Sequence, residues 1–380
     1  MNKADAIAEN FFVQRADRKR TISSLFSRDD LRDVSSFFRG CPGYEVTPLH
    51  RLTGLARRLG IADIYVKDES RRFGTNSFKM LGVMYAVSRM VRQGLIPPGS
   101  TLVCATDGNH GRAVARVARM HGLKSYVYVH EKTVMARIES IRGEGAEVVT
   151  VAGNYEQALA EAVRAAGRHG WTLLADTSWV GYELVPRFIA AGYAMLMEEA
   201  AQQWPSGLPP TILLVQVGVG SLLGAVVSWY GHNGNVNIPS FLACEPRAAA
   251  CLLESMRTGR LVSLEGSLET MMAGLSCGTV SLQAWPLLSQ AVDACVAIED
   301  VNAAAGMRTL FRPCDGDPVV IAGESGACGL ASLLALLHND EFRTVREACD
   351  FSASSRILVI NTEGATDPEN YARIVGTEVV

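Results

Sequence analysis

Lys79 sits in the stretch Ser77-Phe78-Lys79-Met80-Leu81-Gly82, after the turn-like Phe73-Gly74-Thr75-Asn76-Ser77 and at the head of an apolar run from Phe78 to Met90. A lysine between an aromatic and apolar residues is most often a surface lysine whose stem packs on the core while the ammonium reaches water. At the start of a buried helix it has another use. Burial lowers an amine's pKa, and a neutral amine attacks an aldehyde to form an imine. The expectation is therefore a buried Lys79 with a lowered pKa. Two further stretches fit such chemistry. Val215-Gln216-Val217-Gly218-Val219-Gly220-Ser221-Leu222-Leu223-Gly224 follows a strand and opens a helix, so its backbone N–H groups can converge on a phosphate dianion. Thr106-Asp107-Gly108-Asn109-His110-Gly111 is a second strand-to-helix turn. It offers N–H groups to a carboxylate and an Asn109 amide to a ring oxygen. Alone, the second turn is equally a helix cap. Alone, the first also fits a dinucleotide fingerprint, although its third glycine comes early and it lies two-thirds along the chain.

The elements that position these stretches read as α/β. Strand-like runs at 64–67, 101–105, 125–129, 147–151, 172–174, 211–216, 240–245 and 356–361 alternate with helical stretches such as 112–121, 134–142, 155–169 and 186–203. That alternation marks an open parallel sheet covered by helices. The grouping predicts a large domain of residues 1–81 and 152–380 with a small domain, 82–151, inserted in it. The ligand then belongs in the crevice between two lobes, outside the carboxyl ends of the strands.

Composition narrows the function classes. The chain has 380 residues, 48% hydrophobic and 20% charged, with a net charge of −3, which is ordinary for a soluble globular protein. Basic residues are mixed with acidic ones apart from a short run at 15–20, expected to be a solvated helix face, so no nucleic-acid partner is indicated. No apolar run is long enough for a bilayer span, and the N-terminus lacks the apolar region of a secretory signal, which makes the cytoplasm the expected compartment. Nine cysteines without a CxxC or Cys/His cluster indicate neither a zinc site nor a disulfide framework. Cys251 and Cys277 flank a polar segment and could approach each other.

Taken together, Lys67-Asp68-Glu69-Ser70 and Asn76-Ser77-Phe78-Lys79 resemble the lysine region of the serine/threonine dehydratase and tryptophan synthase β superfamily of fold-type II pyridoxal phosphate (PLP) enzymes. Ala105-Thr106-Asp107-Gly108-Asn109-His110-Gly111-Arg112 is closer to the diaminopropionate ammonia-lyases. So are Asp176-Thr177-Ser178-Trp179-Val180-Gly181-Tyr182, Gly323-Glu324-Ser325-Gly326-Ala327 and Thr362-Glu363-Gly364-Ala365-Thr366-Asp367. The resemblance runs from about Phe38 to the C-terminus. It implies PLP as cofactor, with Lys79 as the Schiff-base lysine and Gly218, Val219, Gly220 and Ser221 as the phosphate cup. Asn109 would lie against the ring and Thr362 at the pyridine nitrogen, with Asn361 and Ser325 as rivals. It also implies a homodimer with a small-molecule amino-acid substrate.

Asp107 departs from the ordinary dehydratases, which carry a small or hydroxyl residue there. A carboxylate at that position can act as base or acid, or protonate a departing amine. Asp176 matches a second catalytic aspartate. The resemblance implies that Asp107 serves a D-substrate and Asp176 an L-substrate. The implied reaction is α,β-elimination of 2,3-diaminopropionate to an aminoacrylate, which hydrolyses to pyruvate and a second ammonia. Two alternatives stand beside it. One is a serine, threonine or 3-hydroxyaspartate dehydratase, or a β-replacement enzyme, on the same scaffold. The other is a protein binding a nucleotide or phosphorylated ligand at the Gly218 loop without imine chemistry.

Overall fold

A computed structural model describes residues 10–14, 22–106, 108–233 and 237–376. The basic run at 15–20 and Asp107 lie outside the described residues. Eleven strands form two sheets: β1 (Phe11–Val13), β2 (Leu49–Arg51), β3 (Asp63–Asp68), β4 (Thr101–Ala105), β5 (Lys124–His130), β6 (Glu147–Val151), β7 (Thr172–Leu173), β8 (Ile212–Gln216), β9 (Ser240–Pro246), β10 (Ala294–Ile298) and β11 (Arg356–Asn361). The larger sheet has the order β1-β10-β9-β8-β11-β3-β2 and the smaller β6-β5-β4-β7. The smaller sheet is wholly parallel; in the larger one only the edge strands β1 and β2 run antiparallel to their neighbours. The inner strands of the large sheet are buried along their whole length or nearly so, as expected for parallel strands with helices on both faces. The fold is that of two open α/β lobes.

The chain leaves the large sheet after β3, builds the small sheet with β4 to β7, and returns with β8. β7 pairs with β4 in parallel, so the small sheet draws on residues past 151, where the sequence placed the end of the inserted domain. Strands expected at 101–105, 147–151 and 356–361 have those bounds, and the others shift by a residue or two. Three strands were not foreseen. β1 and β2 are three-residue edge strands, and β10 is Ala-Cys-Val-Ala-Ile, poor in the branched and aromatic residues that announce a strand. The helix expected at 186–203 is two helices, Leu184–Tyr193 and Met195–Gln203. At their junction the N–H groups of Ala194 and Met197 bond three residues back instead of four.

The helix that begins at Lys79 (Lys79–Arg92) packs against Leu184–Tyr193 through two glycines. A Cβ on Gly82 would lie 2.7 Å from Ile189 Cγ2, and one on Gly192 would lie 2.5 Å from the Leu81 carbonyl. The crossing is thus close enough to put Tyr193 beside Lys79. No helix among the described residues is long and apolar enough to cross a membrane, and among them no group of three or more His, Cys, Asp or Glu could hold a metal ion.

Candidate active site

The stretches that carry Lys79, Thr106, Asp176, Gly218 and Thr362 each come after a strand, whereas the stretch 323–327 lies between the helices Asp300–Phe311 and Cys328–His338. Lys79 comes after β3, Thr106 after β4, Asp176 after β7, Gly218 after β8 and Thr362 after β11, and all five line one pocket between the two sheets. This is where open α/β sheets place ligands, because strand ends and helix starts there present unpaired backbone groups.

The segment leading to Lys79 is held from both ends. At its base, Arg72 donates from Nε to Glu69 Oε2 (2.7 Å) and from Nη2 to Glu199 Oε2 (2.7 Å), while Lys67 Nζ donates to the same Glu199 oxygen (2.5 Å). All four side chains are essentially inaccessible to water. Between this cluster and the lysine, Phe73 and Asn76 adopt φ of 50° and 59°, a region most side chains avoid. At the far end, the Phe78 N–H donates to the Thr362 carbonyl (3.1 Å) and the Gly364 N–H to Asn76 (3.0 Å).

Lys79 Nζ donates to Asp176 Oδ2 and lies 5.2 Å from the centre of the Phe78 ring and 5.9 Å from that of Tyr193. The expected lowering of its pKa does not occur. Burial does push it down, the largest single influence, but the Asp176 carboxylate and Tyr193 outweigh it, and the net shift is upward. Asp176 answers in kind: burial raises its pKa, yet the charges of Lys79 and His110 and the Lys79 hydrogen bond hold it well below the ordinary carboxylate range. Each partner thus favours the charged form of the other. Asp176 is set by its loop: the Ser221 hydroxyl donates to its backbone carbonyl (2.5 Å), and Tyr182, stacked on Trp179 at 4.4 Å, donates its hydroxyl to the Leu173 carbonyl (2.8 Å). The aromatic pair seen in the sequence thus clips the segment that carries the aspartate.

The Gly218–Ser221 loop has the form of an anion cup. Gly220 has φ +88°, no side chain caps the helix Ser221–His232 that follows, and residues 218–222 line the pocket, so the uncapped helix start is open to an anion there. Val219 is tied down through its carbonyl, which accepts from the Ser281 N–H (2.9 Å). Cys251 and Cys277 both reach Gly218: the Cys251 thiol donates to its carbonyl (3.5 Å), and a Cβ on it would lie 3.2 Å from Cys277 Sγ. Two residues before the loop, Gln216 Nε2 donates to Thr362 Oγ1 (2.9 Å). Of the two rivals, Ser325 also lines the pocket, whereas Asn361 turns away to donate to Asp68 Oδ1 (2.8 Å) and the Ile321 carbonyl (2.9 Å).

Asn109 is the first residue of the helix Asn109–Met120, and its amide donates to Glu363 Oε2 instead of standing free. Glu363, whose other oxygen accepts from the Ser325 N–H (3.0 Å), carries no mark of this role in its own stretch of sequence. Neither does His110. Its Nε2 donates to the Leu174 carbonyl (2.7 Å), so Nδ1, 3.8 Å from Asp176, is left without a hydrogen-bond partner. Burial, with the nearby Lys79 charge, lowers the His110 pKa despite the attraction of Asp176. Arg137 lines the pocket and nothing in its surroundings in the sequence marked it.

A lysine, a glycine loop at an uncapped helix start and a threonine hydroxyl, lining one pocket between two open α/β sheets, define a fold-type II PLP enzyme, and the residues present fit that cofactor. The chain belongs to this family: the profile of the pyridoxal-phosphate dependent enzymes matches residues 41–362. Within it the chain stands beside the diaminopropionate ammonia-lyases. It is 39% identical to that of Salmonella typhimurium over 93% of each chain, and 36% identical to that of Escherichia coli over the same shares. The crystal structure of the Escherichia coli enzyme in complex with an aminoacrylate-PLP azomethine reaction intermediate superposes with a TM-score of 0.89 over 96% of both chains, at 34% identity. Maize serine racemase, at 20% identity and a TM-score of 0.74 over 91% of this chain and 95% of its own, shares the fold.

Proposed function

We propose that this protein eliminates ammonia from 2,3-diaminopropionate, in either enantiomer, to yield pyruvate and two molecules of ammonia. The observation that carries the reading is the Lys79–Asp176 pair, enclosed in one pocket with the Gly218–Ser221 loop and Thr362. The cofactor, when bound, supplies a ring that draws off the electron pair left as Cα loses its proton. Lys79 would hold it covalently, the backbone of Gly218, Val219, Gly220 and Ser221 would hold its phosphate, and Asn109 would contact its ring. Thr362, whose oxygen already accepts from Gln216, keeps its hydroxyl hydrogen for the pyridine nitrogen.

Asp176, an anion at neutral pH, takes the Cα proton of the L-substrate, and a carboxylate beside a β-ammonium keeps that group protonated as it leaves. Asp107 takes the same part for the D-substrate; its neighbours Thr106 and Gly108 line the pocket. The reading extends to a small domain inserted in a large one, the insertion running past residue 151 to take in β7, and to a homodimer working in the cytoplasm.

The test is ammonia and pyruvate release from the PLP-loaded protein given D- and L-2,3-diaminopropionate, with D- and L-serine and threonine in parallel. Turnover of both diaminopropionate enantiomers, with little of the hydroxy acids, is expected. Turnover of the hydroxy acids alone would assign the dehydratase chemistry instead. Lys79→Ala should lose both turnover and the visible band of the lysine-bound cofactor; full retained activity would overturn the covalent role.

A further inference from the structure

A second cation faces the pocket with little to do there. Arg137, on the helix Met135–Arg142, is more than nine-tenths buried, its Nε has no hydrogen-bond partner, and its one ionic neighbour, Glu324 Oε2, stands 3.7 Å from Nη2. That distance is too long for a hydrogen bond. The other Glu324 oxygen accepts from Asn370. A guanidinium has five donors in a planar fork suited to a carboxylate, and this one is largely unspent. Among the described residues lining the pocket, Lys79 is committed to the cofactor in the reading above, and His110 is buried beside Asp176. Arg137 is the remaining side-chain cation.

Its position is also specific. The side chain lies against Gly108, at the start of the helix Asn109–Met120, so closely that a Cβ there would be 2.8 Å from Arg137 Cδ; Gly108 has φ +147°. Arg137 therefore stands beside the N–H groups of that helix start. It also lines an outer groove that has Lys132, Glu269 and Arg373 among its walls, so it stands on both cavities.

We propose that Arg137 binds the α-carboxylate of the amino-acid substrate and makes the enzyme select free α-amino acids over their amides. This rests on the amino-acid reading above. A 2,3-diaminopropionate molecule carries one anionic group and up to two cationic ones. With Lys79 committed to the cofactor and Asp176 favouring the amine side, the substrate's anion is matched by Arg137 together with the neighbouring backbone N–H groups.

The test compares the wild-type holoenzyme with Arg137→Met, Arg137→Lys and Glu324→Gln. Ammonia release is measured with 2,3-diaminopropionate and with its carboxamide. Binding of alanine and of alaninamide, neither of which has a β-leaving group, is titrated through the cofactor's absorbance. A charge-assisted hydrogen bond of this kind is worth roughly 10- to 100-fold in affinity. In Arg137→Met the dissociation constant for alanine and the KM for diaminopropionate should rise by about that factor, while alaninamide binding changes little. Arg137→Lys should regain part of the preference for the acid, and it decides the matter if the Met variant does not hold cofactor. Glu324→Gln should leave the acid-to-amide preference in place. An unchanged preference in Arg137→Met, or its equal loss in Glu324→Gln, overturns the proposal and leaves a mere link between lobes. If the wild type ignores diaminopropionate, the functional reading fails, yet the alanine titration still decides the role of Arg137.

Discussion

Replacing Glu199 by Gln should cost the protein about 3–5 kcal/mol of stability, the usual penalty for stranding a buried charge. The cluster it belongs to is balanced: Lys67 and Arg72 against Glu69 and Glu199, each with side-chain exposure of 0% or 1%. Glu199 Oε2 accepts from Lys67 (2.5 Å), Arg72 (2.7 Å) and Thr47 (3.2 Å), and Oε1 from the Tyr44 hydroxyl (2.5 Å). An amide keeps the shape but leaves two cations facing one carboxylate, and its NH2 group must turn toward a donor. At roughly 2 °C per kcal/mol for a chain of this length, the melting temperature should fall by about 6–10 °C. The pH dependence carries a sign. Burial pushes the Glu199 pKa up, but Arg72 and Lys67 bring the net shift below the ordinary 4.5. A depressed folded pKa gives stability that is present above the unfolded value and lost as pH falls through the folded one. The gap between wild type and variant, measured by thermal unfolding of the holoenzyme, should therefore be constant above about pH 5 and shrink below 4.5. The cluster anchors the turn before Lys79, so the variant should also release cofactor faster. A loss of less than about 1 kcal/mol at pH 7, or a gap that widens in acid, would refute the charge-balance argument.

Asp176→Asn removes the anion that takes the Cα proton and holds the Lys79 ammonium, so kcat/KM for L-2,3-diaminopropionate should drop by roughly 10²- to 10⁴-fold, and that for the D-enantiomer by less. Equal effects on both enantiomers in steady-state assays would contradict the assignment of faces. Gly82→Ala places a methyl against Tyr193 and 2.7 Å from Ile189 Cγ2, with the Ile189 carbonyl at 2.9 Å. Overpacking of this kind costs about 1–3 kcal/mol, and since the Tyr193 ring lies beside Lys79 Nζ, turnover should fall along with the melting temperature. An unchanged melting temperature would show that the two helices separate freely.

The sequence disclosed the parts of this protein that repeat a local rule and concealed those that depend on distant partners. Parallel strands buried on both sides are apolar runs, and the glycine loop and the Thr106 turn each follow a strand directly, so sheet, cup and helix start were visible from neighbouring residues alone. Lys79 was visible for the same reason, but its protonation was not. Its environment is decided by Asp176, 97 residues away, and desolvation reasoned from the lysine's own neighbours gives the opposite sign. Glu363 and Arg137 were missed on the same ground. Glu363 is tied to Asn109 across 254 residues, and Arg137 sits in a helix whose sequence, Met-Ala-Arg-Ile-Glu-Ser-Ile-Arg, is that of any half-exposed helix. The buried quartet shows the limit most plainly: Lys67 and Glu69 lie at and just past the end of a strand, and no neighbour in sequence announces that Arg72 and Glu199 will enclose them. A charged residue in such a place carries no local mark of burial. Its mark is the opposite charge that the fold brings to it, and that exists only once the two lobes have closed the sheet ends over the site.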